Sequence, residues 1–529
     1  MTNPTTLTTL SLTGLALFAA ACQQSEPHLE PSSEPPLAHA ASVYSDAYSG
    51  PGAELFETHC AVCHGPDGRA DGPGSAFLSP PARSFASGEF RLVSTVNRVP
   101  RDEDLVAMLR RGMPGSAMPS WSWLSDFELA SLATYVRELA VLGLADRLMA
   151  EARETGSPLH FEEARARAAA RLEPGEVLPA PTEESVVDAN LGLTLFRQNC
   201  SPCHGIDGAG TPSPQVNADG GLNWARDLTA GFVKGGTTRE ELAWRIGAGM
   251  PGSAMPGTDL NELELASLVA HVQSLIPDQT DRRLVQVPER LRVRRVADEL
   301  PRNPDDLGWE ECEEVSIVLA PLWWRDESVL YATLGAVHDG ESIAIRVRWP
   351  DATGKTTVLS DATRSDALAL QLSRAVAPPL FGMGSAELPT IIWHWKAIGL
   401  EQVAGAMELL DSDLSTETRT GDTHWEAPMY HALDDQLALS EKVEQLDVRG
   451  VESARDAVRS GSEVAVAPRW SDGEWSVVFS RKLSPSGARD IRFTPGESAR
   501  VACAIWNGAA GDRGPQKSIT IWHEFALDD

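Results

Sequence analysis

Two cysteines separated by two residues and followed at once by a histidine occur twice in this chain, as Cys60-Ala61-Val62-Cys63-His64 and Cys200-Ser201-Pro202-Cys203-His204. Downstream of each stands the same string, Gly-Met-Pro-Gly-Ser-Ala-Met-Pro, at 112–119 and at 249–256. Thiols at this spacing can bond both vinyl groups of one haem, and the adjacent His is then held against the iron. Covalent attachment would fall to Cys60, Cys63, Cys200 and Cys203, and axial ligation to His64 and His204. A later Met offers a soft thioether to the opposite face, which favours ferrous iron and raises the reduction potential. With both axial positions filled, little room remains for a substrate. The pattern therefore points to electron transfer rather than to catalysis. A lone Cys-x-x-Cys also fits a zinc knuckle, a redox dithiol or a disulfide. The His, the Gly after it and the duplication of the whole arrangement argue against those.

Helices must hold such groups. Gly52 and Phe56 stand eight and four residues before Cys60, and Gly192 and Phe196 stand at the same offsets before Cys200. After the methionine strings, Leu129, Leu132, Val136 and Leu139 recur as Leu265, Leu268, Val272 and Leu275, one apolar face at helical spacing. Asp126, and Asp259 or Asn261, are candidate N-caps. Over about residues 46–145 and 188–278 the chain resembles class I cytochromes c, small all-α domains that pack two helices across a haem. That resemblance implies Met118 and Met255, each in the closing Met-Pro pair, as sixth ligands, and leaves Met113 and Met250 to loop packing. Trp121 and Trp123 follow the first string, whereas Gly257, Thr258 and Asp259 follow the second. Aromatic cover excludes water and tunes potential, so the two sites are expected to differ in redox poise. Tyr135 aligns with His271, which reads as a helix-packing residue.

The 529 residues suffice for three or four domains. A formal net charge of −30, from 75 acidic against 45 basic residues, excludes nucleic acid as a natural partner and suits a cationic redox partner or docking subunit. Residues 7–21 are apolar and small and end in three alanines before Cys22, as in a secretory leader or a bacterial lipoprotein site. Residues 1–22 are therefore expected to be a leader and 23–45 a flexible tether. The cytochrome segments are expected at 46–148 and 188–280, with linkers at 149–187 and 281–299. The first linker holds a helix candidate, Phe161–Leu172, and the second the arginine run 282–295. Cys312 and Cys503 remain over, as a disulfide in an oxidising compartment or as two buried thiols.

From about residue 300 the texture becomes β-like. Runs at 316–320, 342–349, 367–372, 463–467, 475–479, 500–506 and 518–522 alternate and are rich in Val, Ile and Trp, as in a β-sandwich. Segment 400–448 reads as a more helical, acidic excursion. The strings Phe381-Gly382-Met383-Gly384, Ile392-Trp393-His394-Trp395-Lys396-Ala397, Trp470–Trp475, Trp506-Asn507-Gly508 and Gln516-Lys517-Ser518-Ile519 resemble the haem-binding γ subunit of ethylbenzene dehydrogenase and its relatives. That likeness implies a non-covalent haem b held between Met383 and Lys517, serving a molybdenum enzyme. His394 and Lys396 are rival ligands.

The expected molecule is multidomain, with two small all-α cytochrome c domains followed by an all-β sandwich. It would be an exported electron-transfer subunit, not itself an enzyme, with two c haems and one b haem. Its partners would be molybdenum/iron–sulfur oxidoreductase subunits and other redox proteins. It would lie in the periplasm or on the outer face of a bacterial membrane, anchored there if Cys22 is lipidated. The competing expectations are a di-haem peroxidase and a di-haem cytochrome fused to a sugar-binding sandwich, with Trp393, Trp395 and Trp470 as platforms.

Overall fold

The computed structural model describes residues 50–397 and 443–529, apart from 212, 218–221, 232, 278–284, 298, 326, 354–364, 376–377, 379–383, 385–387, 389, 450–462 and 488–489. The expected leader, the tether, Cys22 and Met383 lie outside the described residues.

Helix α1 (Pro51–His59) runs straight into the cysteine turn α2 (Ala61–His64). Helices α3 (Asp102–Arg111), α4 (Asp126–Glu154) and α5 (Phe161–Arg171) complete the first helical segment. The second repeats the plan with α6 (Ala189–Leu195), the cysteine turn α7 (Ser201–His204), α8 (Arg239–Ala248) and α9 (Glu262–Leu275). The glycines at equal offsets mark equal helix crossings. A Cβ at Gly52 would fall 2.2 Å from the Ser131 carbonyl oxygen on α4, and one at Gly192 would fall 2.2 Å from that of Ser267 on α9. Only a residue without a side chain lets the helices approach so closely.

Helix α4 is capped by Ser125 rather than by Asp126. Ser125 Oγ accepts from the Glu128 N–H (3.3 Å), and the Glu128 carboxylate accepts from the Ser125 N–H (2.8 Å). Asn261, not Asp259, caps α9 in the same reciprocal way with Glu264. Such boxes satisfy orphan amides and contribute about 1 kcal/mol each. Ala164 and Ala168 of α5 are wholly buried and join the first apolar core, so the interval read as a linker packs as part of that segment.

Among the described residues thirteen strands follow: β3 (Arg290–Arg295), β4 (Glu314–Val318), β5 (Ala320–Pro321), β6 (Tyr331–His338), β7 (Ser342–Pro350), β8 (Ala367–Ser373), β9 (Thr390–Lys396), β10 (Val443–Val448), β11 (Ala465–Ser471), β12 (Glu474–Lys482), β13 (Ser498–Trp506), β14 (Ser518–Ile519) and β15 (His523–Leu527). A two-residue pair, β1 (Gln215–Val216) with β2 (Leu222–Asn223), belongs to the second helical segment. The order β10-β9-β8-β13-β15-β3-β6-β7-β12-β11 folds over one core, forming a half-barrel or sandwich filled by Trp349, Trp393, Trp395, Trp475 and Phe479.

Two expectations need correction. The arginine run is not all linker. Leu291 and Val293 are fully buried between exposed arginines, and β3 pairs in parallel with both β15 and β6. The end of the expected helical excursion, Val443–Val448, is a strand paired with β9.

Candidate functional site

The first cysteine turn is built to present three groups together. His64 N–H and Cys63 N–H both donate to the Cys60 carbonyl (2.9 and 3.1 Å), winding the turn so that both thiols and the imidazole reach one cavity. His64 Nδ1–H donates to the Arg83 carbonyl at 2.8 Å. That bond fixes the tautomer and leaves the Nε2 lone pair for a metal. Phe85 stacks on the ring at 4.6 Å. Burial lowers the His64 pKa, keeping it neutral, and pushes the Cys60 and Cys63 thiols up to about 12. Among the described residues no cluster of His, Cys, Asp and Glu could hold a metal ion.

The cavity measures about 350 Å³. Both Met113 and Met118 reach its wall from a tight hairpin, in which the Met113 N–H donates to the Met118 carbonyl (3.0 Å) and Ser116 Oγ to the Met113 carbonyl (2.7 Å). Trp121 closes the cavity and stands 5.3 Å from the His59 ring, with the exposed Trp123 beyond it.

The second site repeats this frame. His204 Nδ1–H donates to the Arg226 carbonyl at 3.2 Å. The Met250 N–H donates to the Met255 carbonyl (3.0 Å), and Ser253 Oγ to the Met250 carbonyl (2.6 Å). Burial lowers the His204 pKa and raises the Cys200 thiol to about 11. Phe196 meets His271 at 5.1 Å as Phe56 meets Tyr135 at 5.2 Å, so His271 occupies a helix-packing position.

In the sandwich, strand parity separates the string 392–396. Trp393 and Trp395 point into the core at 0% and 1% exposure, so neither can serve as a sugar platform. His394 and Lys396 lie on the other face. Lys396 is level with Ala367 and Trp506 across β9, β8 and β13, and the register of β14 brings Lys517 to the end of that row. The Lys517 amine lies 4.7 Å from the Trp506 ring, and the His394 ring 5.3 Å from it on its own side. Burial pulls the Lys517 pKa down to about 8. Lys517 and His394 thus both stand by Trp506, and Lys396 lies on the same cross-strand row. Cys312 and Cys503 are free thiols, Cys503 inside the main core and Cys312 against a separate apolar cluster that includes Trp309.

Two thiols one turn apart, an imidazole with its Nδ1 tied back and a thioether loop lining the same cavity form the donor set of an attached haem, and the residues fit that group. The arrangement defines a cytochrome c type of protein joined to a β half-barrel. Residues 49–140 and 189–275 match the family described as cytochrome c, and residues 309–518 match that described as ethylbenzene dehydrogenase. The chain therefore combines cytochrome c segments with an ethylbenzene dehydrogenase γ-like domain. It is 25% identical over 236 residues to a Haloferax mediterranei protein named a respiratory nitrate reductase heme subunit, covering 44% of this chain and 70% of that one. It is 26% identical over 265 residues to the dimethylsulfide dehydrogenase subunit gamma of Rhodovulum sulfidophilum, covering 46% and 83%. Among solved structures, a Kuenenia stuttgartiensis reducing HAO-like protein complex aligns with 43% of this chain and 97% of its own at 26% identity and a TM-score of 0.34.

Sequence reasoning missed the polar groups around these sites. Arg83 and Arg226 hold the two histidines through their carbonyls, yet lie 19 and 22 residues after them. The unequal spacing hides their equivalence. Lys234, from the second segment, lines the cavity of the first, and no local signal marks it.

Proposed function

We propose that this chain is an exported electron-transfer subunit carrying two covalent c haems, one in each cytochrome segment, and a b haem in the sandwich. It passes electrons between a molybdenum-type oxidoreductase and a respiratory chain. The observation that carries this reading is the duplicated frame: a cysteine turn, a histidine tied through Nδ1 to a carbonyl, and a methionine hairpin. The names of the two relatives, a respiratory nitrate reductase heme subunit and a dimethylsulfide dehydrogenase subunit gamma, support the choice of partner.

Haem, once bound, supplies a one-electron couple at each site. Around it, Cys60 and Cys63, or Cys200 and Cys203, fix the ring. His64 and His204 are aimed by the Arg83 and Arg226 carbonyls. Met118 and Met255 would offer it a thioether each, and Trp121 would keep water from the first site. In the sandwich, Lys517 is the proposed lysine ligand and Met383 its partner, with the amine already biased toward its neutral form. Export to the periplasm or the outer membrane face, with Cys22 as a lipid anchor, remains part of the proposal. No helix among the described residues is long and apolar enough to cross a membrane.

The test is haem stoichiometry of the full chain, co-expressed with a c-type maturation system. Two acid-resistant haems and one acid-extractable haem per chain are expected. Two attached haems with no extractable one, in correctly folded protein, would remove the b site. No attached haem would sink the whole reading.

A further inference from the structure

The two cytochrome segments reach into each other's sites. Arg83 and Arg226 each hold their own segment's histidine by the carbonyl, and each turns its guanidinium toward the other segment's methionine loop. Arg226 Nη2 donates to the Gly115 carbonyl at 2.8 Å. Arg83 Nη1 lies 3.1 Å from where a Cβ on Gly252 would stand. Arg245 of α8 donates to the carbonyls of Arg91 and Val93, and Arg111 of α3 pairs with Glu241 of α8 at 2.5 Å.

One consequence is chemical. Lys234 is only 8% exposed and lines the first cavity, whose lining also includes Cys60, Cys63, His64, Arg83 and Arg91. Burial first, and then the positive charges of Arg226, Arg91 and Arg83, hold its pKa well below the ordinary lysine value. The carboxylate lining this cavity is Glu89, near Arg83. In such a desolvated cavity like charges repel more strongly than in water, and an anion placed among them is correspondingly stabilised. The arrangement calls for a multivalent anion in the cavity itself.

We propose that Lys234 binds the carboxylates of the tetrapyrrole attached at Cys60 and Cys63, so that the second segment completes the propionate site of the first. This rests on the c-type reading above. Lys234 acts as a positioning and potential-setting group. An ammonium beside the ring disfavours the ferric form, which carries one more positive charge than the ferrous form, and so raises that couple.

The test uses the full-length holoprotein and a spectroelectrochemical titration that resolves both c couples. The first couple is assigned as the one absent from a Cys60→Ala/Cys63→Ala variant. Lys234→Met should lower the first couple by at least a tenfold change in its reduction equilibrium, about 59 mV, and weaken the propionate bending band in resonance Raman spectra. The second couple should stay in place. Lys234→Arg should preserve both readouts, and Lys234→Gln, which keeps a hydrogen bond, should lower the potential with less change in the Raman band. An unmoved first couple in Lys234→Met and Lys234→Gln, with both haems attached, would overturn the proposal. So would equal shifts in both couples, or a potential that follows added phosphate while the Raman band stays constant, which would assign the cations to a free anion. Absence of attached haem from the unmutated protein would instead sink the underlying reading.

Discussion

The two cytochrome segments share one ligand frame and one helix plan and differ in how the site is covered. In the first, Cys60 is 8% and Trp121 3% exposed, α4 runs for 29 residues, and α5 packs Ala164 and Ala168 against the same core. Its methionine loop is also covered by the sandwich, where Ala117 meets Leu322 and Ile519 and Gly115 lies under Trp324. In the second, α9 has 14 residues, both cysteines are half-buried, and Gly257, Thr258 and Asp259, not tryptophans, follow the Met255-Pro256 pair. Identical donor atoms can thus be set to different potentials by their surroundings. Burial and the cations at the first site both penalise the ferric form, so the first couple is expected to be the higher.

The largest effects come from removing a ligand. Met118→Ala and Met255→Ala should each abolish one of two Met–iron absorption bands and open one iron to carbon monoxide. Binding should be faster in Met255→Ala, because its site is less covered. If Met113→Ala or Met250→Ala does this instead, the proposed ligand positions are wrong. Equal carbon monoxide rates would remove the difference in cover.

Next come the helix crossings. At both Gly52 and Gly192 an added methyl would meet a backbone carbonyl that cannot turn aside. Each Gly→Ala change should cost about 2–3 kcal/mol, the upper range for overpacking. Gly192→Ala should show the lower thermal midpoint, since the second segment lacks the extra helix α5. Calorimetry of the two variants decides it, and the reverse order would argue that the sandwich contacts add no stability to the first segment.

The attachment motifs, methionine strings, flanking glycines and apolar faces were readable from sequence because covalent haem chemistry demands fixed local spacings. The β region was harder. Strand β9 is buried on both faces, so periodicity could not show that Trp393 and Trp395 look inward while His394 and Lys396 look out. Strand β3 does alternate, with Leu291 and Val293 inside, but its arginines hide the pattern. Ser125 was overlooked as a cap although Ser125 and Glu128 form a readable capping box. Contacts between segments left no local trace. Lys234 is followed by two glycines and carries no motif, and only the docking of one segment on the other gives it a role.

A non-covalent site extends the comparison. The amine of Lys517 must be neutral to ligate, and its pKa stands at about 8. Below that value each pH unit costs about 1.4 kcal/mol of binding, and above it none. Retention of extractable haem should therefore fall about tenfold per unit from pH 8 to 6, while the attached haems stay constant. Burial has already supplied much of the cost of neutralising an ordinary lysine. Lys517→Met should erase the slope. If Lys396→Met erases it instead, the ligand is Lys396. A slope that begins only below about pH 6.5, the ordinary His range, would assign His394.

The smallest expected effect separates aromatic cover from charge at the first site. Trp121 is buried against His59 and on the cavity wall, whereas Trp123 is 45% exposed. If exclusion of water contributes to the gap between the couples, Trp121→Ala should lower the first by about 0.5–1 kcal/mol, roughly 20–40 mV on the scale of 59 mV per tenfold. Trp123→Ala should leave it unchanged, because an exposed ring displaces little water from the iron. Redox titration of both variants beside Lys234→Met gives the comparison its internal control. Charge should shift the couple more than cover does, since a buried cation acts on the iron directly while a lost ring admits water that screens only in part. Should Trp121→Ala shift the couple more than Lys234→Met, cover would outweigh charge and the seam between the segments would matter mainly as a seal.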